Sequence, residues 1–421
     1  MGDGRGGAVQ RVGEPAVLGE VRAAPDGRHV LVDVLTRPYS YVVTWQRFAH
    51  EVTVLDLDAG TSRTLATLPA AESVPVRGVP TGPRGFEWRA NAPATLVYAE
   101  ALDGGDWKNT VPERDRVLMW AAPFTGKPVE IARTAQRYAG QYWFERGSKA
   151  LLAQYDANRR WFTISLMDVD KPRSAARVLW DLSMDERYAH PGNPQSRTLA
   201  NGASVLREQD GAIFLAGSGA SPQGDRPFLD RYDLGSGKTE RLFRSAPDAY
   251  ERLLGFAPEP GDLLTWHESP IDPPNAFRRR LGAALADAAA GEAAFASSAE
   301  AITRFPDPTP EVRKIKKRLV TYTRKDGVPL SFTLYTPPGY VEGTRVPAIL
   351  YAYPMDFADP SQAGQVRGSE QTFTRLSSYR LLLLAGYAIV DSAAFPIVGD
   401  PKNAYDTYLE QLVANAEAAV A

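Results

Sequence analysis

Of the side chains that move protons near neutral pH, this chain carries four: His29, His50, His190 and His267. It has no cysteine, which excludes disulfides, thiolate nucleophiles, thiolate zinc sites and iron–sulfur clusters. Glu268 follows His267, but no second histidine stands four residues on, so the helical zinc-protease motif is absent. Gly-x-Ser-x-Gly, the spacing that holds a serine nucleophile on a strained strand-to-helix turn, occurs nowhere in the 421 residues. Asp56-Leu57-Asp58-Ala59-Gly60 opens like a calcium loop, yet it lacks the closing glutamate and reads as a hairpin turn. GSGASPQG (217–224) lacks the third glycine spacing of a dinucleotide fingerprint and leads into no helix. No metal and no cofactor is implied.

The charge balance excludes further classes. With 48 basic and 50 acidic residues the formal net charge is -2, so no global field draws the chain to nucleic acid or to an anionic membrane. The one compact basic run, Arg313, Lys314, Lys316, Lys317 and Arg318, has no interleaved aromatics and reads as a solvated strand or linker. Leu381 to Val390 is the longest apolar run, about half of the ~20 residues a membrane helix needs, and reads as a buried element rather than a span. Hydrophobic residues at 44% and charged residues at 23% fit a soluble globular protein of two or three domains. Met1 to Gly7 lacks the apolar stretch of a signal peptide; strand-like sequence follows almost at once, as if the start had been cut from something longer.

The elements that must position any site show an internal repeat. A turn rich in Gly, Pro, Asn or Asp precedes an apolar strand at Asp26 (HVLV), Asn91 (ATLVYAE), Gly147 (KALLAQY), Asp210 (AIFLAG) and Gly261 (LLTW), at intervals of 51 to 65 residues. A strand, tight turn and second strand follow most of them, as in EVTVLDLDAGTSRTLATL and LDRYDLGSGKTERLF. Four short strands per repeat predict a β-propeller of four to five visible blades, whereas a β-sandwich would show no such period. In Leu281 to Ile302 alanine propensity favours helix, but the position in the repeat calls for a degenerate hairpin or loop.

Past the Pro-punctuated RFPDPTP (304–310) the pattern changes. Two alternating strands flank Lys325-Asp326-Gly327, and the wholly apolar VPAILYAY (346–353) reads as a buried strand. TRLSSYRLLLLAG (374–386) predicts a helix closed by Gly386, YAIVDSAAF (387–395) a second buried strand, and 404–421 a helix. That last helix gathers Tyr405, Tyr408, Leu409, Leu412, Val413, Ala416 and Val420 on one face. Hairpin, strand, helix, strand, helix is how an α/β-hydrolase sheet begins. The expected architecture is therefore a partial β-propeller over 1–302, followed over 303–421 by the N-terminal part of an α/β-hydrolase domain.

Particular segments then carry a family resemblance. AYPMDFADPSQAGQVRGS (352–369), FPIVGD (395–400) and YLEQLVANAEAAV (408–420), with LTRPYSYVV (35–43), FEWRANAPATLVYAEALDGGD (86–106), GSGASPQGDRPFLD (217–230) and HESPIDPPN (267–275), resemble the glutamyl endopeptidase branch of the prolyl oligopeptidase family. The resemblance implies a serine peptidase acting on peptide substrates, with a propeller capping a hydrolase whose Ser, Asp and His come in that order. On that pattern the nucleophile elbow follows the helix at 404–421, so all three triad residues fall outside these residues and the chain alone is expected to be inactive.

The resemblance also assigns roles. The second oxyanion donor of this family is a tyrosine hydroxyl, matching Tyr353 in ILYAYP; without the resemblance Tyr353 reads as a core aromatic, and Tyr351 is the weaker alternative. Recognition of a glutamyl side chain needs a desolvated guanidinium, for which Arg367 in GQVRGS comes first and Arg37 and Arg47 follow, each of which a surface or structural ion pair would equally explain. The rival expectation is a non-catalytic propeller used for binding, with a vestigial hydrolase stub.

Overall fold

The structure, a computed structural model, describes residues 12–172, 174–400 and 403–421; the Gly-rich start at Met1–Gly7 lies outside them. Consecutive strands pair antiparallel into sheets of four, the first being Val17–Ala23, His29–Leu35, His50–Asp56 and Thr61–Leu68. The turns are set locally: Asp26 Oδ1 accepts from the Arg28 and His29 amides at 2.9 and 3.0 Å, and Gly27 takes φ +68°, a left-handed conformation that costs glycine little. Asp56–Gly60 forms the turn of a hairpin, as its sequence predicts, with Asp56 Oδ1 capping the amides of Asp58 and Ala59.

Further four-stranded sheets have the same consecutive order: Arg84–Trp88, Thr95–Ala101, Asp115–Ala121 and Val129–Thr134; Arg137–Trp143, Lys149–Asp156, Trp161–Asp168 and Arg177–Ser183; and Tyr250–Phe256, Asp262–Glu268, Asn275–Ala284 and Phe295–Ala301. Another sheet joins Asn193–Pro194, Ala212–Gly217, Phe228–Asp233 and Thr239–Arg244, with Glu208–Gln209 as an extra partner. Its first strand is followed by a small hairpin, Ser196–Thr198 with Ser204–Leu206. The alanine-rich stretch is thus a hairpin: Arg278 pairs with Glu300 and Leu281 with Ser297, so tertiary pairing overrides helix propensity.

Two compact units are distinguished. One holds the residues up to Ala157 together with 163–179 and 196–206; the other holds 158–162, 180–195 and 207–421. In the first, Leu96, Val97, Val117 and Leu151 are fully enclosed. Beside them Asp115 and Asp103, both buried, are shared among Arg84, Arg137 and Arg114, with Arg137 bridging the two carboxylates at 2.5 and 2.6 Å. Each buried charge is paired, which is the condition for tolerating it.

The second unit ends in a mixed sheet in the order Lys316–Thr323, Pro329–Thr336, Ala388–Val398, Ala348–Phe357. Its one parallel pair is Ala348–Phe357 with Ala388–Val398, joined by a crossover. Ala388–Val398 is buried, as expected. Ala348–Phe357 is not: it pairs on one side only among the described residues, and Tyr351, Tyr353 and Met355 are exposed. Pro354 in its middle fits an edge position, since proline donates no ladder bond and collects on sheet edges.

Ser378–Ala385 forms a 3-10 helix rather than an α-helix, closed as expected by Gly386 in the left-handed region at φ +86°. The final helix, Tyr408–Val420, departs from its periodicity: Leu409, Val413 and Val420 face solvent, while Asn415 is fully buried. Polar bonds decide the docking face. Gln411 exchanges bonds with both the amide and the carbonyl of Val398, and Asn415 accepts from Arg324 at 2.7 Å and donates to the Pro396 carbonyl at 3.0 Å. Among the described residues no helix is long and apolar enough to cross a membrane.

Candidate active-site cleft

Side chains alternate along a strand, so Tyr351, Tyr353, Met355 and Phe357 share one face of the edge strand. They line a cleft of about 330 Å³ in the second unit, with Arg367 and Gly368 from the loop after the short helix Pro360–Ala363 and with Ser392 to Pro396 from the neighbouring strand. Tyr353 and Arg367, picked out separately in the sequence, thus line the same cleft.

The two tyrosines differ in freedom. Tyr351 is stacked on Tyr379, ring centroids 4.3 Å apart. Tyr379 donates to Asp391 Oδ1 at 2.9 Å, and Arg380 Nε reaches Asp391 Oδ2 at 2.7 Å, so a buried carboxylate anchors the stack. Burial, with the Asp391 charge beside it, pushes the Tyr379 phenol up to about 12, which keeps it a neutral donor. Tyr353 is 76% exposed and its hydroxyl is engaged by none of the described residues. A local irregularity presents them: Leu350 pairs with Val390 but Ala352 with Ala393, so Asp391 and Ser392 together face Tyr351. Ser392 takes φ +53° at this bulge, a conformation L-residues seldom adopt, and such bulges re-aim side chains.

The loop carrying Arg367 is held on several sides. Gln365 Oε1 accepts from the Arg187 amide at 2.6 Å, the Val366 amide donates to the Tyr188 hydroxyl at 2.9 Å, and Arg187 Nε donates to the Val366 carbonyl at 3.3 Å. Asp225 closes the other side: its amide donates to the Gly368 carbonyl at 2.8 Å, and its Oδ2 accepts from the Gly368 amide at 3.3 Å. Gly224, at φ +103°, permits this approach, because a Cβ there would lie 3.0 Å from the Gly368 carbonyl oxygen.

Charge is distributed unevenly in this region. Arg160 grips Asp185 through two bonds of 2.8 and 2.9 Å, and Arg187 holds both oxygens of Asp225 at 3.0 and 3.1 Å. Arg367 forms no ion pair with a described residue; its guanidinium lies 5.8 Å from the Phe357 ring centroid. Burial and the like charge of Arg187 lower its pKa, with Asp185 and Asp225 opposing. Asp225 is raised by burial against the pull of Arg187. Neither Arg187 nor Asp225 could be singled out from its local sequence, because what joins them to residues 365–368 is tertiary contact.

Arg37 and Arg47 lie in the first unit. Arg37 is exposed, its guanidinium 5.4 Å from the Tyr39 ring, and Arg47 ends a 3-10 turn and lines a separate cleft with Asp33 and His50. The basic run is only partly solvated: Arg313 packs 3.7 Å from the centroid of Phe373 and pairs with Asp307, and Lys317 donates to Thr372. Lys317 ties the strand to the crossover, and Arg313, in the 3-10 segment Pro310–Lys314 before the strand, donates to the Thr374 carbonyl, so the solvated reading of the run is corrected at these two residues.

A scan of protein-family models finds no match to this chain. Sequence comparison finds two proteins named probable glutamyl endopeptidase, chloroplastic: one from Oryza sativa subsp. japonica, 34% identical over 98% of this chain, and one from Arabidopsis thaliana, 35% identical over 98%. The chain spans 45% and 44% of their lengths, about half of each. Among solved structures, a putative dipeptidyl aminopeptidase IV from Bacteroides ovatus shares the fold over 90% of this chain and 52% of its own, with a TM-score of 0.52 at 10% identity. By sequence, then, the chain is similar over nearly all of its length to proteins named probable glutamyl endopeptidase.

Proposed function

We propose that residues 1–302 are a partial β-propeller and residues 303–421 the opening of the α/β-hydrolase domain of a serine peptidase that cleaves peptide bonds after glutamate. In this reading the propeller restricts access to small peptides, and an elbow serine encoded beyond Ala421 attacks the scissile carbonyl. The Tyr353 hydroxyl donates to the oxygen that becomes negative, and Arg367 receives the substrate carboxylate in a two-bond contact. Consecutive four-stranded sheets and the crossover-linked parallel pair support the architecture, and the relatives' names support the specificity.

One observation carries the site: a phenol and a guanidinium that, among the described residues, have no hydrogen-bond or ion-pair partner respectively line the same cleft. In the full gene product, Arg367→Met should lower kcat/KM for a glutamyl peptide by roughly 10- to 100-fold and leave its glutamine counterpart within about twofold, since a charge-assisted bond contributes about 1.5–3 kcal/mol. Equal losses on both peptides would remove the acid-reading role. The gene itself tests the architecture: a strand and Gly-x-Ser-x-Gly should follow within roughly 30 codons of Ala421. A stop codon there would favour the rival, a propeller that binds without catalysis.

A further inference from the structure

We infer that Arg187 is a positioning residue for acid recognition: by holding both oxygens of Asp225 it prevents that carboxylate from neutralising Arg367. This inference rests on the proposed role of Arg367. Asp225 is the natural competitor for that guanidinium, because its Oδ2 already accepts from the amide of Gly368, the next residue along the chain. It is also buried, and a buried carboxylate must find a cation. Arg187 supplies one through Nη2, at 3.0 and 3.1 Å to the two oxygens, while its Nε and amide bond the Val366 carbonyl and Gln365 Oε1. Arg160 satisfies Asp185, the other carboxylate whose field reaches Arg367, in the same two-bond manner. Both internal anions are therefore occupied, and the third guanidinium stays available to an anion from outside. The arrangement differs from a simple clamp in one testable respect: removing Arg187 should do harm through Asp225, and removing Asp225 as well should undo it.

Affinities of the full gene product, its elbow serine replaced by alanine so that neither probe is cleaved, for N-acetyl-glutamyl-alanine amide and its glutamine counterpart, measured calorimetrically, provide the test. The unaltered protein should prefer the glutamyl probe at least tenfold. Arg187→Met should bring this preference to within about twofold, Arg187→Met with Asp225→Asn should restore most of it, and Asp225→Asn alone should leave it intact or larger. Binding of the glutamine probe should stay unchanged throughout. Retention of the preference in Arg187→Met, or no recovery in the double variant, overturns the inference and leaves the role of Arg367 standing. Absence of any preference in the unaltered protein removes both. Should Arg187→Met fail to fold, Asp225→Asn decides: loss of the preference there means that Asp225 assists acid binding rather than competing with it.

Discussion

Among the groups of the mixed sheet that burial shifts, Lys317 gives a stability signature. Lys317, half-buried and bonded to Thr372, has its ammonium pulled down to about 8, chiefly by burial, with Arg380 and Arg375 adding to the shift and Glu268 and Glu370 opposing it. An unfolded lysine titrates near 10.4, so between about 8 and 10.4 the unfolded chain binds more protons than the folded one. Stability then rises with pH across that window, and the cost of the buried ammonium is fully present below it. Denaturant unfolding of Lys317→Met should lack this rise, so the stability of the unaltered chain relative to the variant should climb between pH 8 and 10; parallel curves would refute it. Tyr353 predicts the opposite kind of result. Its exposure and free hydroxyl mean that Tyr353→Phe should leave the melting temperature unchanged while lowering kcat of the full gene product by about 10²–10³, the usual loss for an oxyanion donor. An unchanged kcat would discard the oxyanion role.

At the scale of elements, the last helix shows how polar bonds can outweigh an apolar stripe. Asn415 is 0% exposed and makes bonds to Arg324 and to the Pro396 carbonyl; Leu409, on the face that periodicity selects, is 69% exposed. Removing a buried partner leaves polar groups unsatisfied, whereas trimming an exposed leucine changes little. Asn415→Ala should therefore cost roughly 1–3 kcal/mol and Leu409→Ala under about 0.5 kcal/mol by urea denaturation. The reverse ranking would show that the helix docks by the other face. The bulge at Asp391 and Ser392 is also an element-scale device: the backbone turns through a left-handed residue, and the carboxylate beside it fixes the stack behind Tyr351.

At the scale of the molecule, the second unit leaves much apolar surface uncovered among its described residues. The edge strand exposes Tyr351, Tyr353 and Met355, the 3-10 helix Leu381, Leu382 and Leu384, and the last helix Leu409, Val413 and Val420. An unpaired strand edge beside apolar patches templates association, and a net charge of -2 offers little repulsion. The 421-residue polypeptide alone should self-associate at roughly 100 μM and bind a hydrophobic dye, in the concentration range where exposed edges drive aggregation. A stable monomer by light scattering that binds no dye would show that this surface is covered.

Much of the architecture was legible because it is encoded locally. Turn residues recur ahead of apolar strands, and most of the antiparallel pairs join strands that are neighbours in sequence, so the repeat alone specifies most of the pairing. Resemblance to a family then marked Tyr353 and Arg367. What required the tertiary structure was every property set by contacts across long separations. The exposure of the edge strand depends on whether a partner pairs beside it. The docking face of the last helix depends on Arg324, about ninety residues away. The freedom of Arg367 depends on Arg187 and Asp225, which lie far from it in sequence and are joined to its loop only by folding. Periodicity reports what a segment could bury; only packing decides what is buried and which charge is left without a partner.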